Sequence, residues 1–251
     1  MISIRRVARP SMLLIALTAF LCLRAGDTRA ATAVIEPARD TTLIEDPDGA
    51  LANGAGPVFF AGRTNQAEGS TRRGLLYFDV AAAVPRPALI ESVSLTLFLT
   101  PSNPGPRDIR LYRVLADWGE GASYATGGLG APSEPGDATW LHTFYDQSFW
   151  EYAGGQFVGR ESGRFTVDGS GVYTLQGSIH LVQDVRLWIM APERNFGWIV
   201  IGDETMRQTV QAFATREASD PALRPVLTVT YRMPGERTVR PAERAFGAEA
   251  P

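Results

Sequence analysis

Large apolar residues recur along most of this chain at every second position. The clearest run sets Val93, Leu95, Leu97 and Leu99 on one face and Ser94, Thr96, Phe98 and Thr100 on the other. Successive Cβ atoms of a strand point to opposite sides, so this alternation predicts a strand with one dry face. The same period runs through Leu76, Phe78 and Val80, and it extends over 109–115, 138–145, 197–202, 209–215 and 225–231. Shorter candidates lie at 41–45, 57–61, 164–168 and 172–175. Between them sit turn-forming clusters such as Pro101-Ser-Asn-Pro-Gly-Pro106, where proline fixes φ and glycine permits positive φ.

One segment changes period. Over 179–190, Ile179, Val182, Val185 and Ile189 fall three or four apart, on one helical face. Ser178 is placed to cap the start of this helix and Pro192 to end it. About ten strands and one short helix predict an all-β fold, a two-sheet antiparallel β-sandwich of jelly-roll type. It should occupy residues 31–232 as a single domain, because sandwiches of this length are often undivided. Two stretches read as lying outside it. Residues 116–137, rich in Gly, Ala and Ser, form a long insertion, and residues 233–251, with few large apolar groups, read as a disordered tail.

The first 30 residues read as a signal peptide: Arg5, Arg6 and Arg9 precede an apolar stretch over 12–23, and Ala30 offers a small residue for cleavage. That stretch is too short to cross a bilayer, and no later one could, so export as a secreted protein, extracellular or periplasmic, is expected. The lone cysteine, Cys22, lies inside the leader, leaving the exported chain without thiols or disulfides. Removing residues 1–30 takes away five arginines and Asp27 and lowers the net charge from −3 to −7. A surface of that sign does not suit nucleic acid, whose phosphates require a basic footprint.

Five strings then occur in order: Arg72-Arg-Gly-Leu-Leu-Tyr-Phe-Asp79, Ala116-Asp-Trp-Gly-Glu-Gly121, Gly136-Asp-Ala-Thr-Trp140, Asn195-Phe-Gly-Trp198 with Gly202-Asp-Glu204, and Phe213-Ala-Thr-Arg-Glu217. Together they resemble the DNRLRE domain family, which is related to carbohydrate-binding module family 96 and to disaggregatase-type repeats. The resemblance spans about residues 34–232. It implies a secreted β-sandwich that binds polysaccharides such as alginate.

Candidate ligand contacts follow from chemistry. A flat, rigid aromatic side chain can cover the apolar C–H face of a sugar ring. Alternation puts Trp140, His142 and Phe144 on one face, the inner one, whereas Trp150 and Tyr152 fall in an expected loop and Tyr124 in the insertion. Trp150, Tyr152 and Tyr124 are therefore the candidate stacking residues. Arg63, Arg73 and Arg216, beside predicted strands, could fork onto the carboxylates of an acidic polymer. The alternative for Arg73 and Arg216, with Glu217 adjacent, is a structural ion pair. No cofactor is required, but Asp46 and Asp48 before Gly49 could help hold a structural calcium ion, although the full loop spacing for that metal is missing.

Little points to catalysis. His142 and His180 are the only histidines, Gly-x-Ser-x-Gly is absent, and the carboxylates Asp117, Glu120 and Asp137 flank an insertion. The expectation is a secreted, non-catalytic polysaccharide-binding module. The alternative is a structural or adhesive protein of the cell envelope or extracellular matrix without a small ligand.

Overall fold

The computed structural model describes residues 30–234. The expected leader, 1–30, lies outside the described residues except for Ala30, and the expected tail, 233–251, except for its first two residues. In chain order the strands are β1 (Ala31–Ile35), β2 (Arg39–Ile44), β3 (Leu51–Ala52), β4 (Val58–Arg63), β5 (Thr71–Tyr77), β6 (Leu89–Leu99), β7 (Arg107–Val114), β8 (Ala131–Pro132), β9 (His142–Phe144), β10 (Ser148–Phe149), β11 (Phe157–Val167), β12 (Gly171–Gln176), β13 (Trp198–Ile201), β14 (Gln211–Ala214) and β15 (Val226–Arg232). Two helices, α1 (Val80–Ala83) and α2 (Ile179–Met190), complete the regular elements apart from short 3-10 turns.

Pairing is antiparallel throughout. The first sheet groups β1, β15, β6, β12 and β14, and the second runs β2, β5, β13, β7, β11. β4 joins them: Val58 to Ala61 pair with β14, whereas Gly62 and Arg63 pair with β5. Gly62 makes this corner possible. Its φ is +116°, and a Cβ there would lie 2.8 Å from the Thr209 carbonyl oxygen. The result is the expected all-β sandwich.

Between the sheets lies the main core. Val93, Leu95, Leu97 and Leu99 of β6 meet Leu76, Ile109, Leu111, Trp198 and Val200 from the second sheet, all essentially without exposure. Helix α2 begins at Ser178, whose hydroxyl accepts the His180 N–H at 3.2 Å, and stops before Pro192. Its buried face differs from the expected one. Leu181, Val185, Trp188 and Ile189 enter the core, whereas Ile179 is exposed. The spacing of 181, 185 and 188 brings Trp188 inside, and a ring that large wins the buried position.

A second apolar cluster covers the opposite face of the second sheet. Leu43, Leu75, Ile199 and Ile201 from the strands pack there against Val114, Trp118, Ala138 and Trp150. The segment 116–137 is therefore not outside the fold: with the following residues it forms a third layer. The expected strand over 138–145 shrinks to β9, which pairs only with β10 across a tight turn. In that turn Asp146 holds φ at +59°.

Candidate functional site

The third layer is built of irregular backbone, so its polar groups need specific partners. Trp118 is fully buried and donates its Nε1–H to the Phe196 carbonyl at 2.9 Å. Trp150 is also buried and donates to the Thr139 carbonyl at 2.9 Å. The Ala138 N–H reaches the Gly119 carbonyl at 2.9 Å, tying the two ends of the segment together. Asp137 accepts the Glu134 and Ser123 N–H groups at 2.6 and 3.4 Å, and burial raises its pKa above the ordinary aspartate range. Gly121 sits so close that a Cβ would fall 1.6 Å from Asp137 Oδ1, at a φ of +73°.

These contacts revise the aromatic expectations. Trp150 was expected at the surface, but its indole closes the second core and has no face for a ligand. His142 is buried, its ring 4.4 Å from that of exposed Phe149, and Thr139 Oγ1 lies 2.9 Å from its Nδ1. Tyr152 and Tyr124 are exposed, at 66% and 59%. Tyr124 borders a shallow depression with Leu129 and Gly130. Trp140, expected on the inner face, instead lines an open groove of about 380 Å³ with Leu141, Ala153, Pro47 and the carboxylate residues Glu45, Asp46 and Glu68. Tyr152 precedes the groove residue Ala153 in the chain without itself lining the groove.

The candidate arginines are held by partners inside the protein. Arg73 forks onto Glu204 at 2.7 and 2.9 Å, donates to the Gly154 carbonyl at 2.8 Å, and lies 5.0 Å over the Trp140 ring. Arg63 donates from Nε to Ser70 Oγ at 2.8 Å. Arg216 Nε stands 3.0 Å from Glu120 Oε1 and 2.7 Å from Glu217 Oε1, an ion-pair contact without a well-angled hydrogen bond. Arg72, buried completely, joins Gln66, Gly69 and Gly128 to β5, and burial lowers its pKa to about 10. As a forked receptor for an acidic polymer, Arg73 is already occupied.

Asp46 and Asp48 do not form a carboxylate cage. Asp46 Oδ1 accepts the Asp48 and Ala50 N–H groups at 3.1 and 2.8 Å, so it closes its own turn. Among the described residues, the one grouping of three carboxylates with metal-ligand geometry is Asp40, Glu120 and Glu217. Sequence reasoning missed it because its members lie on β2, in the third layer and just after β14. Burial raises the Asp40 pKa well above the usual aspartate value; the Arg216 N–H opposes this, and Glu217 and Glu120 add to it. Glu120 is shifted up as well, again mainly by burial. Neither a protein-family model nor a curated protein sequence matches this chain.

Proposed function

We propose that this chain is an exported, non-catalytic polysaccharide-binding module, and that its sugar site is the groove lined by Trp140. One observation carries the reading: an aromatic ring braced by a fixed guanidinium opens onto a cleft whose polar lining is carboxylate. An aromatic platform covers the C–H face of a sugar, and carboxylates accept hydrogen bonds from its hydroxyls. Tyr152, exposed beside Ala153, extends the platform along a polymer. The resemblance to the DNRLRE family supports a polysaccharide as the ligand, although alginate, the example it implies, is acidic. The sign of the lining refines the choice. Glu45, Asp46 and Glu68 would repel uronic acids, and Arg73 is engaged by Glu204, so a neutral polysaccharide is favoured over an acidic one.

The test is affinity electrophoresis of the purified protein in gels containing neutral or acidic polysaccharides, repeated with Trp140→Ala. Retardation in a neutral polymer, weakened about tenfold or more by the substitution, is expected for loss of one stacking contact of roughly 1.4 kcal/mol or more. Binding that persists in Trp140→Ala, or that is confined to acidic polymers, would overturn this placement.

A further inference from the structure

Among the described residues, two carboxylate oxygens in the Asp40, Glu120 and Glu217 cluster are buried and have no hydrogen-bond partner. They are Asp40 Oδ1, on a residue with no exposed surface, and Glu217 Oε2. The remaining oxygens of these two groups are committed. Asp40 Oδ2 accepts the Arg216 N–H at 2.8 Å, and Glu217 Oε1 faces Arg216 Nε. Glu120 Oε1 in turn accepts the Asp40 N–H at 2.8 Å, which locks the third carboxylate against the first. Each of the three residues offers an oxygen, and these oxygens lie within 4.8 Å of one another. That span matches the coordination sphere of an ion with oxygen ligands at about 2.3–2.6 Å.

Charge gives the same answer. Arg216 is the guanidinium in direct contact with the cluster, so once all three carboxylates are ionised, as a bound cation requires, one positive charge faces three negative ones. Arg39, next to Asp40 in the chain, is engaged by Asp117 at 3.0 Å and by the Trp118 carbonyl. Burying an unpaired carboxylate oxygen is costly, and a divalent cation removes that cost for all three groups at once. The donors are oxygens alone, with neither imidazole nor thiolate, which suits a hard ion.

We propose that Asp40, Glu120 and Glu217 bind a calcium ion that ties β2, the third layer and the segment following β14 together. The site is separate from the sugar groove: Asp40 lies five residues before Glu45, roughly 16 Å along an extended chain. Calorimetry with calcium alone therefore reads its occupancy separately from polysaccharide binding. Calcium here acts on the fold, fixing Glu120 and with it the start of the layer that carries Trp140.

The experiment strips the purified protein with chelator, then titrates calcium by isothermal calorimetry and follows thermal unfolding with calcium, magnesium or chelator. At calcium one hundred times Kd, the melting temperature should rise by about 5–10 °C over the chelated protein. Asp40→Asn disturbs a fully buried position, so the decisive variant is Glu217→Gln, whose side chain is 24% exposed. It should fold and bind calcium at least tenfold more weakly, while Asp46→Asn leaves the affinity unchanged. No calcium heat together with an unchanged melting temperature overturns the proposal. So does unweakened binding in Glu217→Gln, or loss of binding in Asp46→Asn. A melting temperature that responds to pH but not to calcium would assign the orphan oxygens to a shared proton, which also overturns it.

Discussion

The two faces of the second sheet are buried by different means. Toward the first sheet, Leu76, Trp198, Val200, Ile109 and Leu111 meet strand residues whose backbone is already satisfied by ladder hydrogen bonds. On the opposite face, Leu75, Ile199 and Ile201 meet Trp118, Ala138 and Trp150, which come from irregular chain. There each indole has to carry a hydrogen bond as well as its apolar area, to Phe196 and to Thr139 respectively. A sheet covers a sheet mainly through alternation, with the Trp198 bond to Asp184 as an added polar contact, whereas a loop covers a sheet only through individually placed side chains. The inner face should therefore be the cooperative centre of stability and the outer layer a separately removable cover.

The largest effects should follow from removing one tryptophan on each side of the second sheet. Trp198 packs 4.4 Å from Trp188 and donates to buried Asp184 at 3.0 Å. Trp198→Ala should cost the upper end of about 3–5 kcal/mol and lower protection from hydrogen exchange across both sheets. Trp118→Ala should fall near the lower end of that range, because surrounding loop can relax into the space. Its exchange signature should be confined largely to residues 116–157. If the Trp118 substitution opens both sheets as widely as the Trp198 one, the outer layer is part of the central cooperative unit and the distinction fails.

The next effect in size concerns the clamp between the second sheet and its cover. Arg73 on β5 holds Glu204, the Gly154 carbonyl and the Trp140 ring together. Both ionic partners are largely buried, at 18% and 25% exposed, and the fork is bidentate, so the pair is worth more than an open surface contact. Arg73→Ala should cost about 1–2 kcal/mol, with Arg73→Lys recovering the charge but not the fork. A double-mutant cycle with Glu204→Ala checks it. Coupling indistinguishable from zero would mean that the cover is held by its tryptophans alone.

The same contrast explains what could be read from the chain. Alternation located β6 and β15 and the dry residues of β6, because period two encodes strand burial directly, whereas β13 is apolar and buried at all four positions. The helix limits followed from Ser178 and Pro192, although its buried face was misjudged by omitting Leu181 and Trp188 from the stripe. The outer layer has no period to read. Its glycine-rich composition suggested an excursion, when close approaches such as Gly121 to Asp137 were the reason for the glycines. Trp150 was mistaken for a surface ring on the same grounds. The ordered strings behave alike: Asn195 donates to the Phe78 carbonyl, Trp118 to the Phe196 carbonyl, and Arg216 meets Glu120. Their members are brought together to hold layers to one another, and residue type alone could not separate that role from ligand contact. The triad of Asp40, Glu120 and Glu217 was equally hidden, since sequence separations of 80 and 97 between consecutive members give no local signal.

The smallest effect lies at the rim of the cover, where Glu45 at the end of β2 accepts the Thr71 N–H at 2.7 Å. Burial by itself would raise the Glu45 pKa, but the hydrogen bonds from Thr71, with help from Arg63, outweigh it and hold the group below its ordinary value. A carboxyl group lowered in this way stabilises the fold above the unfolded-state pKa of about 4.3 and ceases to do so as pH falls through the lower folded-state value. Glu45→Gln keeps an oxygen for the Thr71 N–H but loses the charge. Its melting temperature should therefore lie slightly below that of the parent at neutral pH, and the gap should close under acid conditions below the ordinary glutamate range. A gap that widens on acidification would mean that Glu45 is worth more protonated than charged, and that this edge of the cover is held by packing, with the carboxylate contributing nothing.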